Sequence, residues 1–190
     1  MYITKDTYIN EIIINKSRFI GIITKIYSKD EFDNIMNNIK EEYPKATHYT
    51  YAYRLLDYYK VSDDGEPSAT AGLPILKIIE TEELYNTMII VVRYFGGIKL
   101  GVGGLIRAYS NAAKECIKEK CKLIPSTLIT IKLDYNSIKE LDNILNNINC
   151  NVINKEFNDK IKYIINVDNS YIQLFSKFNY IKEKDTYLEL

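Results

Sequence analysis

The sequence predicts an α+β protein in two domains, residues 1–122 and 127–190. Three observations carry that prediction. Short β-branched and aromatic runs alternate with segments of helical period as far as Lys120. The pattern pauses around Lys122–Ser126, which reads as a linker. It then restarts as strand, helix, strand, strand, helix, strand, the βαββαβ order of a ferredoxin-like split βαβ fold.

The elements follow in order. Tyr8–Ile14 and Ser17–Tyr27 alternate as strands. Ser28 and Glu31 have the spacing of a capping box, and a helix carrying Phe32, Ile35, Met36 and Ile39 stops near Pro44. His48–Leu56 is a third strand with Tyr49, Tyr51 and Tyr53 on one face. Ser62–Gly72 is turn chemistry. Pro74 opens a short helix through Ile75, Leu76, Ile78 and Ile79. Met88–Phe95 is a buried strand, Gly96–Gly104 a glycine loop, and Leu105–Lys120 a helix. Past the linker come a strand at Thr127–Tyr135 and a helix at Ser137–Ile148. A hairpin pairs Asn151–Phe157 with Ile161–Asp168, a second helix covers Ser170–Phe178, and Thr186–Leu190 closes the sheet.

Composition excludes several classes. Hydrophobic residues at 46% and charged residues at 26% describe an ordinary soluble globular chain. No apolar run approaches the roughly 18 residues of a membrane span, and Met1–Asn10 has no apolar signal core, so a cytoplasmic protein without a membrane partner is expected. Cys116, Cys121, Cys150 and the single His48 are too few and too scattered for a four-ligand zinc site. No metal and no cofactor is expected. A net charge of +0, from 25 basic and 25 acidic residues, argues against a non-specific electrostatic nucleic-acid binder but leaves room for a local basic patch. Lysine dominates that basic set, so the four arginines, Arg18, Arg54, Arg93 and Arg107, mark places where a planar fork of donors has a use.

The segment Arg93–Arg107 carries the first functional signal. A strand enters glycines and a helix leaves them, with Gly96, Gly97, Gly101, Gly103 and Gly104 able to let backbone amides approach a bound group. Helix N-termini add unpaired N–H groups and partial positive charge. Arg93 ends the strand, Lys99 lies in the loop, and Arg107 falls in the first helical turn. The segment matches neither G-x-x-x-x-G-K-[ST] nor G-x-G-x-x-G, so it reads as an anion or RNA-backbone cradle or as a tight packing turn. The second signal is the acidic turn. Asp63, Asp64 and Glu66 suit a hydrogen-bonded Asx turn with carboxylates on amides or arginines, or else a cation or acid–base site. His48 is the one side chain suited to titrate near neutral pH. Lys16-Ser17-Arg18 places two cations around a serine at a strand start, as a phosphate contact or a strand edge. The tyrosine face stacks on bases or packs in the core.

Taken together, these segments resemble the IMPACT/YigZ family. The matching pieces are Lys16-Ser17-Arg18-Phe19, Ala46-Thr47-His48, Tyr51-Ala52-Tyr53-Arg54, Ser62-Asp63-Asp64-Gly65-Glu66-Pro67, Thr70-Ala71-Gly72-Leu73-Pro74-Ile75-Leu76, and Arg93 through Gly101 with Gly103 through Tyr109. They stand in the family's order. One departure is Ala69, where the family usually has glycine. The resemblance implies an N-terminal ribosomal-protein-like domain with a left-handed βαβ crossover, an exception to the right-handed rule. It implies a C-terminal domain similar to one of elongation factor G. Eukaryotic relatives are tied to control of translation through a stress-kinase activator.

Three functions are then expected in turn. The first is a translation-linked binding protein that contacts RNA or the ribosome through Lys16, Ser17, Arg18, Arg54, Arg93, Lys99, Arg107 and the glycines, with Asp63, Asp64 and Glu66 orienting the arginines and His48 beside them. The second is an enzyme on a small phosphorylated substrate or on RNA, using the acidic turn. The third is a module that binds a protein partner in translation control and no nucleic acid. No catalytic residue is assigned.

Overall fold

The computed structural model describes every residue, Met1–Leu190, and the chain divides into two compact units, Met1–Cys121 and Lys122–Leu190. The first unit contains β1 (Tyr2–Thr4), β2 (Tyr8–Ile14), β3 (Ser17–Lys25), α1 (Phe32–Glu42), β4 (His48–Arg54), β5 (Tyr59–Ser62), α2 (Gly72–Thr81), β6 (Thr87–Tyr94) and α3 (Gly101–Glu115). Its main sheet has the order β2-β3-β6-β4-β5, and every neighbouring pair is antiparallel. Strands β3 and β4 both oppose β6, so they run parallel to each other, and α1 is the crossover between them.

Alternation along the strands explains why this sheet is covered on both faces. Ile20, Ile22, Tyr51, Tyr53, Met88, Ile90 and Val92 pack against Met36 and Ile39 of α1. Phe19, Ile23, Ala52, Ile89 and Val91 pack against Ile75 and Ile79 of α2 and Leu105, Ala108, Tyr109 and Ala112 of α3. The tyrosine face is therefore core: Tyr53 is buried, and Phe32 lies 4.8 Å from the Tyr51 ring.

Several boundaries differ from the sequence expectation. α3 begins at Gly101, one turn earlier than its apolar period suggests, so Gly101, Gly103 and Gly104 are helical and Arg107 lies in the second turn. α1 is preceded by a 3-10 turn at Lys29–Glu31, and Ser28 makes no side-chain cap; Glu31 Oε2 instead accepts from the Tyr27 amide at 3.0 Å. Strand β5 was hidden beside the acidic turn.

The second unit runs through most of β7 (Lys120–Leu133), then α4 (Ile138–Leu145), β8 (Cys150–Phe157), β9 (Ile161–Asp168), a 3-10 segment (Asn169–Phe175) and β10 (Tyr180–Glu189). Strands β10, β7, β9 and β8 lie side by side, all antiparallel, in the arrangement of a split βαβ fold. Ile129, Ile131, Tyr163 and Ile165 form its core with Leu141 and Leu145 of α4. The expected linker at Lys122–Ser126 is strand, because those residues pair with the end of β10. Pro125 brings no N–H to that ladder; opposite it, the Tyr187 carbonyl accepts from Asn166 Nδ2 at 3.0 Å. The second expected helix is 3-10. No helix is long and apolar enough to cross a membrane.

Candidate functional site

The site lies at one end of the first unit's sheet. Register places His48 on β4 opposite Arg93 on β6, and Phe19 on β3 opposite Arg93 from the other side. The acidic turn after β5 reaches this end. Asp64 (φ 44°) and Gly65 (φ 85°) both take left-handed backbone, a pair of dihedrals that glycine adopts without strain. The Glu66 amide then donates to the Asp63 carbonyl at 2.9 Å, and the Glu66 side chain is driven inward, 4% exposed.

Glu66 is the centre of the polar cluster. Its Oε1 accepts from Arg93 Nη1 and, at 2.6 Å, from the Tyr109 hydroxyl. His48 Nε2 lies 3.7 Å from the same oxygen. The other oxygen, Oε2, takes none of these bonds. Arg93 is itself buried, its guanidinium 5.2 Å from the Phe19 ring centroid and 5.4 Å from that of Phe95, with Nη2 3.5 Å from Ser17 Oγ. Buried charges of this kind persist only when paired. Burial, reinforced by the hydrogen bond to the Glu66 carboxylate, pushes the Tyr109 hydroxyl far above the usual tyrosine range, so it remains a donor. His48 Nδ1 lies 2.7 Å from the Asp64 carbonyl oxygen. A carbonyl only accepts, so Nδ1 carries the proton and Nε2 is turned towards Glu66.

Above the cluster is a cavity of 420 Å³, within the range of small-ligand sites. His48, Glu66 and Arg93 line it together with Phe95, Lys99, Leu100, Gly101, Val102 and Leu105. The wall from Phe95 to Gly101 is fixed by Gly96: a Cβ there would lie 2.1 Å from the Lys16 carbonyl group, so only glycine lets the two backbones cross. The Gly96 amide donates to Ser17 Oγ at 3.1 Å, and the Phe95 amide to Thr47 Oγ1 at 2.9 Å. No side chain caps α3, so its first N–H groups are left beside the cavity.

The sequence candidates separate under this geometry. His48, Glu66, Arg93, Lys99 and Gly101 come together around one cavity. Ser17 and Gly96 buttress it; Gly97 is exposed in the loop, and Gly103 and Gly104 lie in the first turn of α3. Asp63 and Asp64 orient no arginine. Asp63 accepts from the amides of Ala69, Ala71 and Gly72 at 2.8, 2.9 and 2.9 Å, and Asp64 from the Tyr49 amide at 2.6 Å. No three His, Cys, Asp or Glu side chains converge as metal ligands.

The other arginines are elsewhere. Arg18 is on the opposite face, forked onto Glu11 at 2.8 and 3.0 Å, which holds the Glu11 carboxyl below its ordinary range. Arg54 is at the far end of β4, stacked 3.9 Å over Tyr85 and bonded to its hydroxyl at 2.8 Å. Arg107 lines a separate cavity of 370 Å³ with Asn15 and Asn111, and Lys16 is an exposed turn residue in left-handed backbone. Sequence reading missed Tyr109 as a partner of Glu66 and Phe95 as a cavity wall. Tyr109 sits four residues after Leu105 on the apolar stripe of α3, where it reads as core.

Fold and site thus define a two-domain α+β protein whose first unit holds a buried carboxylate–arginine pair beneath a mainly apolar cavity. Residues 15–117, which include the whole cavity lining, match the Impact N-terminal domain. The chain belongs to the IMPACT family. An IMPACT family member of Haemophilus influenzae is 31% identical over 181 residues, 92% of this chain and 88% of that protein. The IMPACT family member YvyE of Bacillus subtilis is 42% identical over 117 residues, 60% of this chain, and that match spans 54% of YvyE. A solved structure described as that of a hypothetical protein has the same fold, with a TM-score of 0.68 at 23% identity over 96% of this chain and 97% of that one.

Proposed function

We propose that this is a translation-linked binding protein whose cavity takes one nucleotide of single-stranded RNA, on its own or on the ribosome. The observation that carries the reading is the composition of the cavity wall. Phe95 is 45% exposed and offers a ring face for stacking, while Lys99 and the uncapped start of α3 offer an anion site beside it. Single-stranded RNA is recognised in this manner, with splayed bases stacked on aromatic rings and phosphates held by cations and backbone amides. The family resemblance supplies the link to translation.

The charge arrangement favours a small footprint over a broad basic surface. Arg18 is neutralised by Glu11 and Arg93 by Glu66, which leaves Lys99 and Arg107 as the cations flanking the start of α3. Two phosphate contacts on a single strand give a slope of log K against log salt of about −1.4. The test is fluorescence titration of a labelled heptaribonucleotide across a salt series. Lys99→Ala and Phe95→Ala should each weaken binding about tenfold, with only Lys99→Ala flattening the slope. Binding that is unaffected by both variants overturns the reading, as does a slope steeper than about −4.

A further inference from the structure

We infer that the cavity reads guanine, with Glu66 Oε2 and His48 Nε2 accepting from the two adjacent donors of a guanine edge. The inference rests on the reading of the cavity as a nucleotide pocket and names the base that it takes.

Arg93 and Tyr109 both donate to Glu66 Oε1. Oε2 takes no donor from the protein, on a side chain that is 4% exposed and lines the cavity. His48 adds a second acceptor. Its Nδ1 proton is committed to the Asp64 carbonyl at 2.7 Å, so in the uncharged ring Nε2, 3.7 Å from Glu66 Oε1, is the acceptor. Two neighbouring acceptors that no protein donor occupies form a set that a ligand with two adjacent donors completes; the buried side-chain atom of the cluster without a partner is the Arg93 Nε donor.

The nucleobases differ in what they offer to such a pair. Guanine presents N1–H and an N2 amino hydrogen side by side. Adenine presents its N6 amino group next to N1, an acceptor, and cytosine its N4 amino group next to N3, an acceptor. Uracil has a single N3–H between two carbonyl oxygens. Only guanine meets two acceptors with two donors; each of the others sets a lone pair against a carboxylate or an imidazole lone pair. Sites built to pair with a substrate N–H reject analogues that lack it. The remainder of the cavity suits the remainder of the molecule: Phe95, Leu100, Val102 and Leu105 provide apolar surface for the ring, and Lys99 with the start of α3 provides for a phosphate. A simple ammonium ligand would use the acceptors but neither the apolar walls nor Lys99.

The experiment is isothermal titration of the full chain with guanosine, adenosine, cytidine and uridine 5′-monophosphates, and with inosine 5′-monophosphate, which keeps N1–H and lacks the N2 amino group. Guanosine monophosphate should bind at least tenfold more tightly than the other three, and inosine monophosphate about tenfold more weakly than guanosine monophosphate. His48→Phe keeps a ring and removes Nε2; it should bind guanosine and inosine monophosphates alike. Parallel titrations with AAAGAAA and AAAAAAA separate the sources: a preference confined to the oligonucleotide identifies an RNA residue, and one shared with the monophosphate identifies a free nucleotide. Equal affinity for all four monophosphates together with equal affinity for the two oligonucleotides overturns the guanine inference and leaves the nucleotide pocket standing. Undiminished inosine binding overturns the two-acceptor account. Failure of every nucleotide and oligonucleotide to bind overturns the pocket reading and this inference together.

Discussion

Replacing Asp63 tests whether the acidic turn builds the site or acts within it. Its carboxylate collects three backbone amides: Oδ2 accepts from Ala69, and Oδ1 from Ala71 and Gly72 at the start of α2. Asp63→Ala removes all three acceptors. The two bonds to Oδ1 are part-buried and charge-assisted, at about 1.5 kcal/mol each towards the low end of their class, while the exposed bond to Oδ2 contributes about 0.5 kcal/mol. The expected loss is about 3.5 kcal/mol. Asp63→Asn retains Oδ1 as a neutral acceptor for two amides and turns an NH₂ towards the Ala69 amide, so the loss falls to about 1–2 kcal/mol. For the unit Met1–Cys121, an unfolding entropy of about 2.1 cal/mol/K per residue sums to about 0.25 kcal/mol/K, so the alanine variant should melt about 14 °C lower and the asparagine variant about 4–8 °C lower. Differential scanning calorimetry of the full chain measures both. A shift below about 4 °C for Asp63→Ala, or equal shifts for the two variants, refutes the capping role.

Three further outcomes follow from the same structure. Ala69 sits at φ 61° where the family usually has glycine, so Ala69→Gly should relieve about 1–2 kcal/mol of left-handed strain against about 0.5–1 kcal/mol of added chain entropy, a net gain of about 0.5–1 kcal/mol in urea unfolding. Gly96→Ala places a Cβ on the Lys16 carbonyl group and should cost at least about 2 kcal/mol while weakening nucleotide binding, measured by the same unfolding and titration. Burial pushes the Cys116 thiol up from 9.0 to about 12, so the neutral thiol supports the fold below pH 9 and that support is lost as pH rises from 9 towards 12; iodoacetamide at about pH 8.5 should label Cys116 only after denaturation, as read by peptide mass spectrometry.

Much of the fold was legible because its periods are strong. The alternation in Ser17–Lys25 and Thr87–Tyr94 and the helical stripe of Phe32, Ile35, Met36 and Ile39 give the sheet and its first cover directly. The errors have local causes. Gly101, Gly103 and Gly104 have poor helix propensity, yet they form the largely exposed first turn of α3, ahead of the buried stripe that starts at Leu105. Lys122–Ser126 contains Pro125, a strand breaker tolerated here because pairing with β10 and the Asn166 side chain make up the ladder.

The site was half legible. Sequence treated the four arginines alike, whereas register distinguishes them: His48 faces Arg93 and Arg54 faces Thr87, six residues along β4, which is about 20 Å. Nothing local tells Glu66 from Asp63 and Asp64. The left-handed pair Asp64-Gly65 turns Glu66 inward and leaves Asp63 on backbone amides, and its buried partner Tyr109 arrives from a helix 43 residues later.

On the proposed function, the cavity above Glu66 and Arg93 is where this protein meets RNA. The most direct measurement is a ¹H–¹⁵N correlation spectrum of the full chain titrated with AAAGAAA. The account predicts saturable shifts at the amides of Phe95 and Lys99 and of Gly101–Gly104, with Arg54 and Thr87 at the far end of the sheet unmoved. Shifts confined to the strands of Lys122–Leu190, with the amides around α3's first turn unchanged, would contradict it.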